Sequence, residues 1–247
     1  MTIDPIWVAH RGWTESALEN SAEAIATAVE RGCAGIEFDV RVTADGEWVV
    51  YHDATLERLH SSELAIAEQP YATLADAAPL PRLAEILDLF HADCRPIVEV
   101  KLPTLEHFDR LAATLRDAAS RFPVAVIGRG EEMPGALTEA LPEVAVFLYQ
   151  RDWGEALRRR DEVDGFDLWG SGIDRRHARE RIAELQTPSA RTGRPREVLV
   201  WTVNDRQIAA DWWAAGVGGI ITDVPWLLNS EVPPPTQGNT PEGNTSQ

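Results

Sequence analysis

Short apolar, β-branched runs alternate with longer amphipathic stretches along nearly the whole chain, and this alternation constrains the fold more than any other feature. Each strand-helix-strand passage is a βα unit, and a series of such units lays down a mainly parallel sheet covered by helices. Strands are expected over 6–9, 35–40, 48–51, 97–100, 124–127, 144–149, 166–169, 198–203 and 219–222. Helical patterns lie between them, over 21–31, 83–90, 105–121, 153–159, 175–186 and 205–215. Ser21 can cap the first of these helices, but Ala24 stands where a capping box has Glu, so only half of the box is expected. A length of 247 residues suits a TIM-like (β/α)8 barrel closed as one domain. Such a chain can bury a full core without disulfides or structural metal.

Nine strands are one more than an eight-stranded barrel holds. Thr43-Ala44-Asp45-Gly46 is a tight-turn sequence. Residues 40–42 and 48–51 can therefore form a hairpin, or 48–51 can join the barrel after an excursion; the pattern leaves both open. Residues 187–196 read as a surface loop. From residue 231 onward the chain is rich in Pro, Gly, Asn and Thr and has no apolar period. Residues 231–247 are expected to be a disordered tail, and residues 1–230 a single barrel domain.

Charge narrows the partners. A net charge of -17 disfavours nucleic acid and anionic membrane surfaces, both of which call for a basic face. Cys33 and Cys94 have no metal-ligand spacing and lie in apolar segments, so they are expected to be reduced core thiols. Met1-Thr2-Ile3-Asp4-Pro5 has no basic or apolar leader character, and no apolar run approaches a membrane span. The expected location is the cytoplasm.

In an α/β barrel, chemistry belongs at the C-terminal ends of the strands. There the sequence places His10-Arg11-Gly12, Glu37 with Asp39, His52-Asp53, Glu99 with Lys101, Trp201-Thr202-Val203-Asn204 and Thr222-Asp223. Residues two apart on a strand share a face, so Glu37 and Asp39 point into one mouth, as do Glu99 and Lys101. Three converging carboxylates repel one another at neutral pH. A hard divalent cation such as Mg²⁺ or Ca²⁺ relieves that repulsion, as would ion pairs with Arg11 or Lys101. His10 and His52 each follow an apolar strand. They are candidates for an acid/base pair, or for hydrogen-bonded structural residues. His60, His91, His107 and His177 read as surface residues. Lys101 is the only lysine in a chain that otherwise uses arginine. Cations, a divalent metal and two histidines together suit a phosphate ester. The chain carries neither a Walker A nor a Gly-x-Ser-x-Gly pattern.

Taken in order, these motifs resemble the glycerophosphodiester phosphodiesterase family. The resemblance rests on His10-Arg11-Gly12, Leu18-Glu19-Asn20-Ser21, Ile36-Glu37-Phe38-Asp39-Val40, Thr43-x-Asp45-Gly46 and Val50-x-His52-Asp53 with Leu56 and Arg58. It continues through Pro81-x-Leu83-x-Glu85-Ile86-Leu87, Val98-Glu99-Val100-Lys101, Trp201-Thr202-Val203-Asn204 and Gly219-Ile220-Ile221-Thr222-Asp223-x-Pro225, and covers about residues 6 to 228. It implies a TIM barrel that hydrolyses small glycerophosphodiesters to glycerol 3-phosphate and an alcohol. His10 and His52 match the acid and base, and Glu37, Asp39 and Glu99 match the ligands of one divalent cation. Arg11 and Lys101 match phosphate contacts, and Glu19 a glutamate near the metal. Trp201 and Asn204 are candidate pocket or supporting residues. The resemblance also implies attack by the substrate's own neighbouring hydroxyl, giving a cyclic phosphate that water opens.

Three departures bear on substrate choice. Leu18 replaces the usual Pro before Glu-Asn, Arg58-Leu59-His60 replaces Arg-Thr-Thr, and the stretch from His52 to Glu99 is short where the family carries an insertion. One alternative is a related lysophospholipase D-type enzyme, in which Trp13 and Trp201 would line a site for an apolar tail, ordinary packing being the favoured reading of both. Another is a non-catalytic ligand-binding barrel, which loss of a metal carboxylate or a histidine would favour; none is lost.

Overall fold

The structure, a computed structural model, describes residues 6–101 and 106–228. Among them nine strands form one sheet: β1 (Ile6–His10), β2 (Gly35–Val42), β3 (Trp48–Val50), β4 (Arg95–Val100), β5 (Ala125–Gly128), β6 (Ala145–Gln150), β7 (Gly165–Trp169), β8 (Glu197–Trp201) and β9 (Gly219–Thr222). Their order is β1-β9-β8-β7-β6-β5-β4-β2-β3, and β1 also pairs with β2. Eight parallel strands therefore close into a barrel, and β3 stays outside it.

The extra strand is a hairpin arm, one of the two arrangements that the sequence allows. β2 runs on to Val42, and β3 returns antiparallel with Val40 opposite Val50. Between them the Thr43 N–H donates to Glu47 O (2.9 Å), and Gly46 takes a φ of +79° that L side chains rarely adopt. The return strand descends toward the rim, where the Tyr51 N–H donates to Asp39 O (2.9 Å). Residue 52 therefore lands beside Asp39.

The two-residue period sorts side chains inside from outside. Val8, Ile97, Ala125, Ile127, Phe147, Leu199 and Ile221 fill the barrel interior as one buried cluster. The alternate positions, among them Ile36, Phe38, Val98, Val126, Phe166 and Val200, pack outward beneath the helices. In the helix Phe108–Ala119, Leu111, Ala112, Leu115 and Ala118 make the buried stripe. Burial of each leucine there contributes about 1.5–3 kcal/mol. Ser21, Asp152 and Asp205 cap their helices by accepting the N–H of the third residue on, each worth about 1 kcal/mol. A third cluster, with Val49, Tyr51, Leu56, Ile66, Leu74 and Leu80, is built largely by the stretch between β3 and β4.

Several boundaries differ from the sequence pattern. The helix expected over 83–90 is Leu83–Leu87, and that expected over 175–186 is Ala178–Leu185. Among the helices with no counterpart in the pattern, the two longest are Tyr71–Ala77 and Met133–Ala140. Pro134 and Gly135 argue against the second, yet Pro134 sits in its first turn, where a missing N–H costs nothing. The stretch 187–196 is not wholly a surface loop. Ser189 and Arg196 are buried, and Arg196 donates to the carbonyls of Val163, Thr187 and Pro188. Cys33 and Cys94 are buried free thiols, and burial pushes them up to about 11 and about 12. No helix among the described residues is long and apolar enough to cross a membrane. Residues 231–247, expected to be a tail, lie outside the described residues, as do Met1 to Pro5.

Candidate active site

The inward positions of the strands end, on the C-terminal side, in a cavity of about 260 Å³. His10, Arg11, Glu37, His52, Glu99 and Lys101 all line it, so residues 91 positions apart in sequence share one wall. β1 supplies Ile6, Val8 and His10 to the interior; the chain then turns sharply, with Arg11 at φ 60° and Gly12 at φ 94°. A Cβ on Gly12 would lie 2.7 Å from the Ala24 backbone, so only glycine lets this turn pack on the helix Ala22–Glu30. The turn carries Trp13 away from the mouth. Trp13 is buried in the outer core, with its ring 5.5 Å from that of Trp226, and does not line the cavity. Of the two readings that the sequence leaves for these tryptophans, Trp13 takes the packing one, whereas Trp201 does line the cavity.

His10 is held from behind. Its Nδ1 lies 2.5 Å from Asp223 Oδ1, and Asn204 Nδ2 donates to Asp223 Oδ2 (2.8 Å). The Asp223 N–H donates to Asn204 Oδ1 (2.9 Å), so Asn204 supports the pair and does not itself line the cavity. Burial would raise the Asp223 carboxyl, but the His10 hydrogen bond and charge outweigh it and hold it below the usual carboxylate range. With Nδ1 engaged, Nε2 lies 3.7 Å from Glu37 Oε2.

The three carboxylates sit deeper. Ligand atoms of Glu37, Asp39 and Glu99 all lie within 4.8 Å of one another, and all three residues are buried. Asp39 is surrounded by partners: Asn20 Nδ2 at 2.9 Å, Arg11 Nε at 3.1 Å and Lys101 Nζ at 3.0 Å. Burial opposes its charge, but Lys101 and then Arg11 pull its carboxyl well below the usual range. Glu99 has Lys101 Nζ at 2.9 Å and an ion pair with Arg129. Ion pairing thus accounts for two of the three. Glu37 is different. Both of its carboxylate oxygens are buried without a hydrogen-bond partner, and burial, with Asp39 and Glu99 adding to it, pushes its carboxyl well above the usual range. A buried all-oxygen cluster with one orphaned carboxylate fits a hard divalent cation. Glu19 lies outside this trio; it accepts from Arg11 (2.8 Å) and from Arg58 (2.5 Å), and so bridges the two guanidinium groups.

His52 enters from the hairpin. Arg41 Nε donates to His52 O (2.8 Å), and His52 Nδ1 lies 2.7 Å from Asp53 Oδ1. Burial holds this imidazole below its ordinary value, with Arg11 and Lys101 adding to the effect and Asp39 and Asp53 opposing it. A neutral imidazole beside a cation-rich wall can accept a proton.

The cavity also holds residues that the strand-end reading does not single out: Arg129, Arg151 and Asp167. Each has the inward parity of its strand, following Ile127, Tyr149 and Gly165 at two-residue steps. Asp167 is buried, and its carboxyl is pushed well above the usual range, first by burial and then by Glu99.

Comparison with known proteins places this geometry. The sequence model of the glycerophosphoryl diester phosphodiesterase family matches residues 10–126. The chain is similar to a glycerophosphodiester phosphodiesterase of Caldanaerobacter subterraneus, 45% identical over 244 residues, covering 90% of this chain and 95% of the relative. Among solved structures it is similar to a glycerophosphodiester phosphodiesterase of Thermotoga maritima, with a TM-score of 0.73 and 24% identity over 90% of this chain and 96% of that one. It is also similar to an Oleispira antarctica phosphodiesterase in complex with the product sn-glycerol-3-phosphate, with a TM-score of 0.73 and 22% identity over 92% of this chain and 96% of that one. At those identities the two structures speak for the fold.

Proposed function

Because the chain belongs to the glycerophosphodiester phosphodiesterase family, we propose that it hydrolyses small glycerophosphodiesters to glycerol 3-phosphate and an alcohol, with one divalent cation held by Glu37, Asp39 and Glu99. The observation that carries the metal reading is Glu37, buried with both oxygens unpartnered. Mg²⁺ and Ca²⁺ both suit three carboxylates. When bound, the ion supplies positive charge against the phosphoryl oxygens and neutralises its own ligands.

The remaining work falls to this chain's side chains. Arg11 and Lys101 line the same wall and oppose the charge that builds on the phosphoryl group. His10 and His52 divide the proton transfers. One takes the proton of the attacking hydroxyl, and the other donates a proton to the departing alkoxide. Each uses Nε2, because Asp223 and Asp53 hold the Nδ1 atoms. With the substrate's own neighbouring hydroxyl as nucleophile, the first step forms a cyclic phosphate, and the same pair in reversed roles lets water open it.

The lysophospholipid alternative loses Trp13 to the core and keeps only Trp201. The non-catalytic alternative has no missing group to support it. The test is release of glycerol 3-phosphate from choline, ethanolamine, inositol and glycerol esters with Mg²⁺, Ca²⁺ or Mn²⁺, and after EDTA and dialysis. His10→Ala and His52→Ala should each lower turnover by about 10²–10⁴-fold. No release from any ester would overturn the activity, and full release after EDTA would overturn the metal.

A further inference from the structure

Four cationic side chains line the cavity, and three are committed to carboxylates. Arg11 has Glu19 and Asp39, Lys101 has Asp39 and Glu99, and Arg129 has Glu99. Arg151 has no ion pair among the described residues. Its Nε donates to Tyr149 Oη (2.5 Å), and its guanidinium lies 5.0 Å from the Trp169 ring centroid and 5.6 Å from that of Tyr149. The neighbouring acid, Asp152, is engaged in capping the helix Trp153–Arg158 through Glu155 N (3.0 Å). Tyr149 is itself held, with Arg129 3.6 Å over its ring and the Trp201 ring at 5.2 Å. Arg151 is thus oriented through one nitrogen, which leaves its terminal fork for a bidentate partner.

Its position says which part of a substrate it meets. β6, which Arg151 follows, stands four strands from β1 in either direction around the barrel. Arg151 therefore faces His10 and Arg11 across the mouth. A phosphate held at the His10, Arg11 and Lys101 wall puts its outward substituent toward β6. Tyr149, Trp169 and Trp201 there resemble a cage for a quaternary ammonium, but guanidinium groups lie against two of those rings and repel a cationic head group. We propose that the substituent reaching β6 carries a second negative charge, a carboxylate or a phosphate monoester, gripped by Arg151 with Arg129 beside it. The assignment rests on the phosphodiesterase reading above.

The test compares kcat/KM of the metal-loaded full chain on four esters of glycerol 3-phosphate. Their alcohols are glycerol, glycerate, glycerol carrying a phosphate monoester, and choline. Glycerate differs from glycerol only in a carboxylate for a hydroxymethyl group. Wild type should favour at least one anionic ester over the glycerol ester by about tenfold or more, the scale of a charge-assisted pair, and should not favour choline. Whether the carboxylate or the monoester leads identifies which anion the site takes. In Arg151→Gln that ratio should fall to near one, and Arg151→Lys should restore part of it. A wild-type ratio near one with good turnover, or a ratio unchanged in Arg151→Gln, overturns the proposal alone. No turnover of any ester overturns the underlying reading and this proposal with it. Arg151 is exposed, so the variants should keep the wild-type melting temperature.

Discussion

Replacing Glu37 by Gln tests the metal site independently of turnover. In the metal-free protein the Glu37 carboxylate is buried, unpartnered and repelled by Asp39 and Glu99. Its folded pKa is raised, so the folded state binds the proton more tightly than the unfolded state does. The associated stability is present below the unfolded value near 4.5 and is lost as pH rises through the folded value. Above that window Glu37→Gln should therefore be more stable than wild type without metal. With metal the order reverses. An ion at 100 times its dissociation constant adds about 2.7 kcal/mol to the wild type. At about 2–4 °C per kcal/mol for a chain of this length, the melting temperature should rise by about 5–11 °C. Glu37→Gln should rise by less than about 2 °C at the same concentration, since an amide oxygen replaces a charged ligand. Thermal melts in EDTA and in excess Mg²⁺ or Ca²⁺, at pH 5 and pH 8, measure both effects. Equal metal-induced shifts in the two proteins, or none in wild type, would refute the reasoning.

Lys101 packs within 3.0 Å of both Asp39 and Glu99, where a planar guanidinium cannot replace a compact ammonium, so Lys101→Arg should lose most of kcat with little change in metal affinity. Wild-type kcat and KM in that variant would show that charge alone suffices. Asp223→Asn should lower kcat by at least about tenfold through loss of the bond that orients His10, leave the metal-induced melting shift intact, and alter the pH-rate profile. Arg196→Ala should cost about 3 kcal/mol in urea unfolding, because it strands the carbonyls of Val163, Thr187 and Pro188. Its partner Asp161 is largely exposed, so that ion pair adds little.

The barrel and the convergence of His10, Glu37, Asp39, Glu99 and Lys101 are legible in the sequence, because period-two alternation says which residues share a face; His52 is legible only as a strand-end histidine, since the sequence leaves its strand either in a hairpin or in the barrel. Three things are not. Arg129, Arg151 and Asp167 obey the same parity, but strand boundaries set by apolar runs stop before the two arginines. Asp167 is enclosed in an apolar run whose inward positions the pattern does not mark. Trp13 follows His10-Arg11-Gly12 directly, so the sequence leaves a mouth position open beside the favoured packing one, and two successive positive φ angles decide it by turning the residue under a helix. Backbone handedness at a non-glycine such as Arg11 has no signature in composition or period. The orphaned state of Glu37, as against the paired states of Asp39 and Glu99, depends on where Arg11, Lys101 and Arg129 fall, which again is a matter of three-dimensional register.

The hairpin arm gives the two histidines different mechanical footing. His10 ends a strand hydrogen-bonded on both sides within the closed ring, while His52 follows β3, an edge strand paired on one side only; its Trp48 and Val50 join the main core, and its Val49 packs with Tyr51, Leu56, Ile66, Leu74 and Leu80 in a small core outside the ring. That core is separate from the two that hold the barrel. A strand paired on one side only, leading into a small satellite core, opens at lower free energy than a closed sheet. Warming should accordingly detach His52 from the rim before the ring itself opens, and inactivation would precede the loss of helical signal. The arm is also a natural unit of exchange: a homologous stretch grafted between β2 and β4 would renew one half of the proton-transfer pair and leave the ring undisturbed.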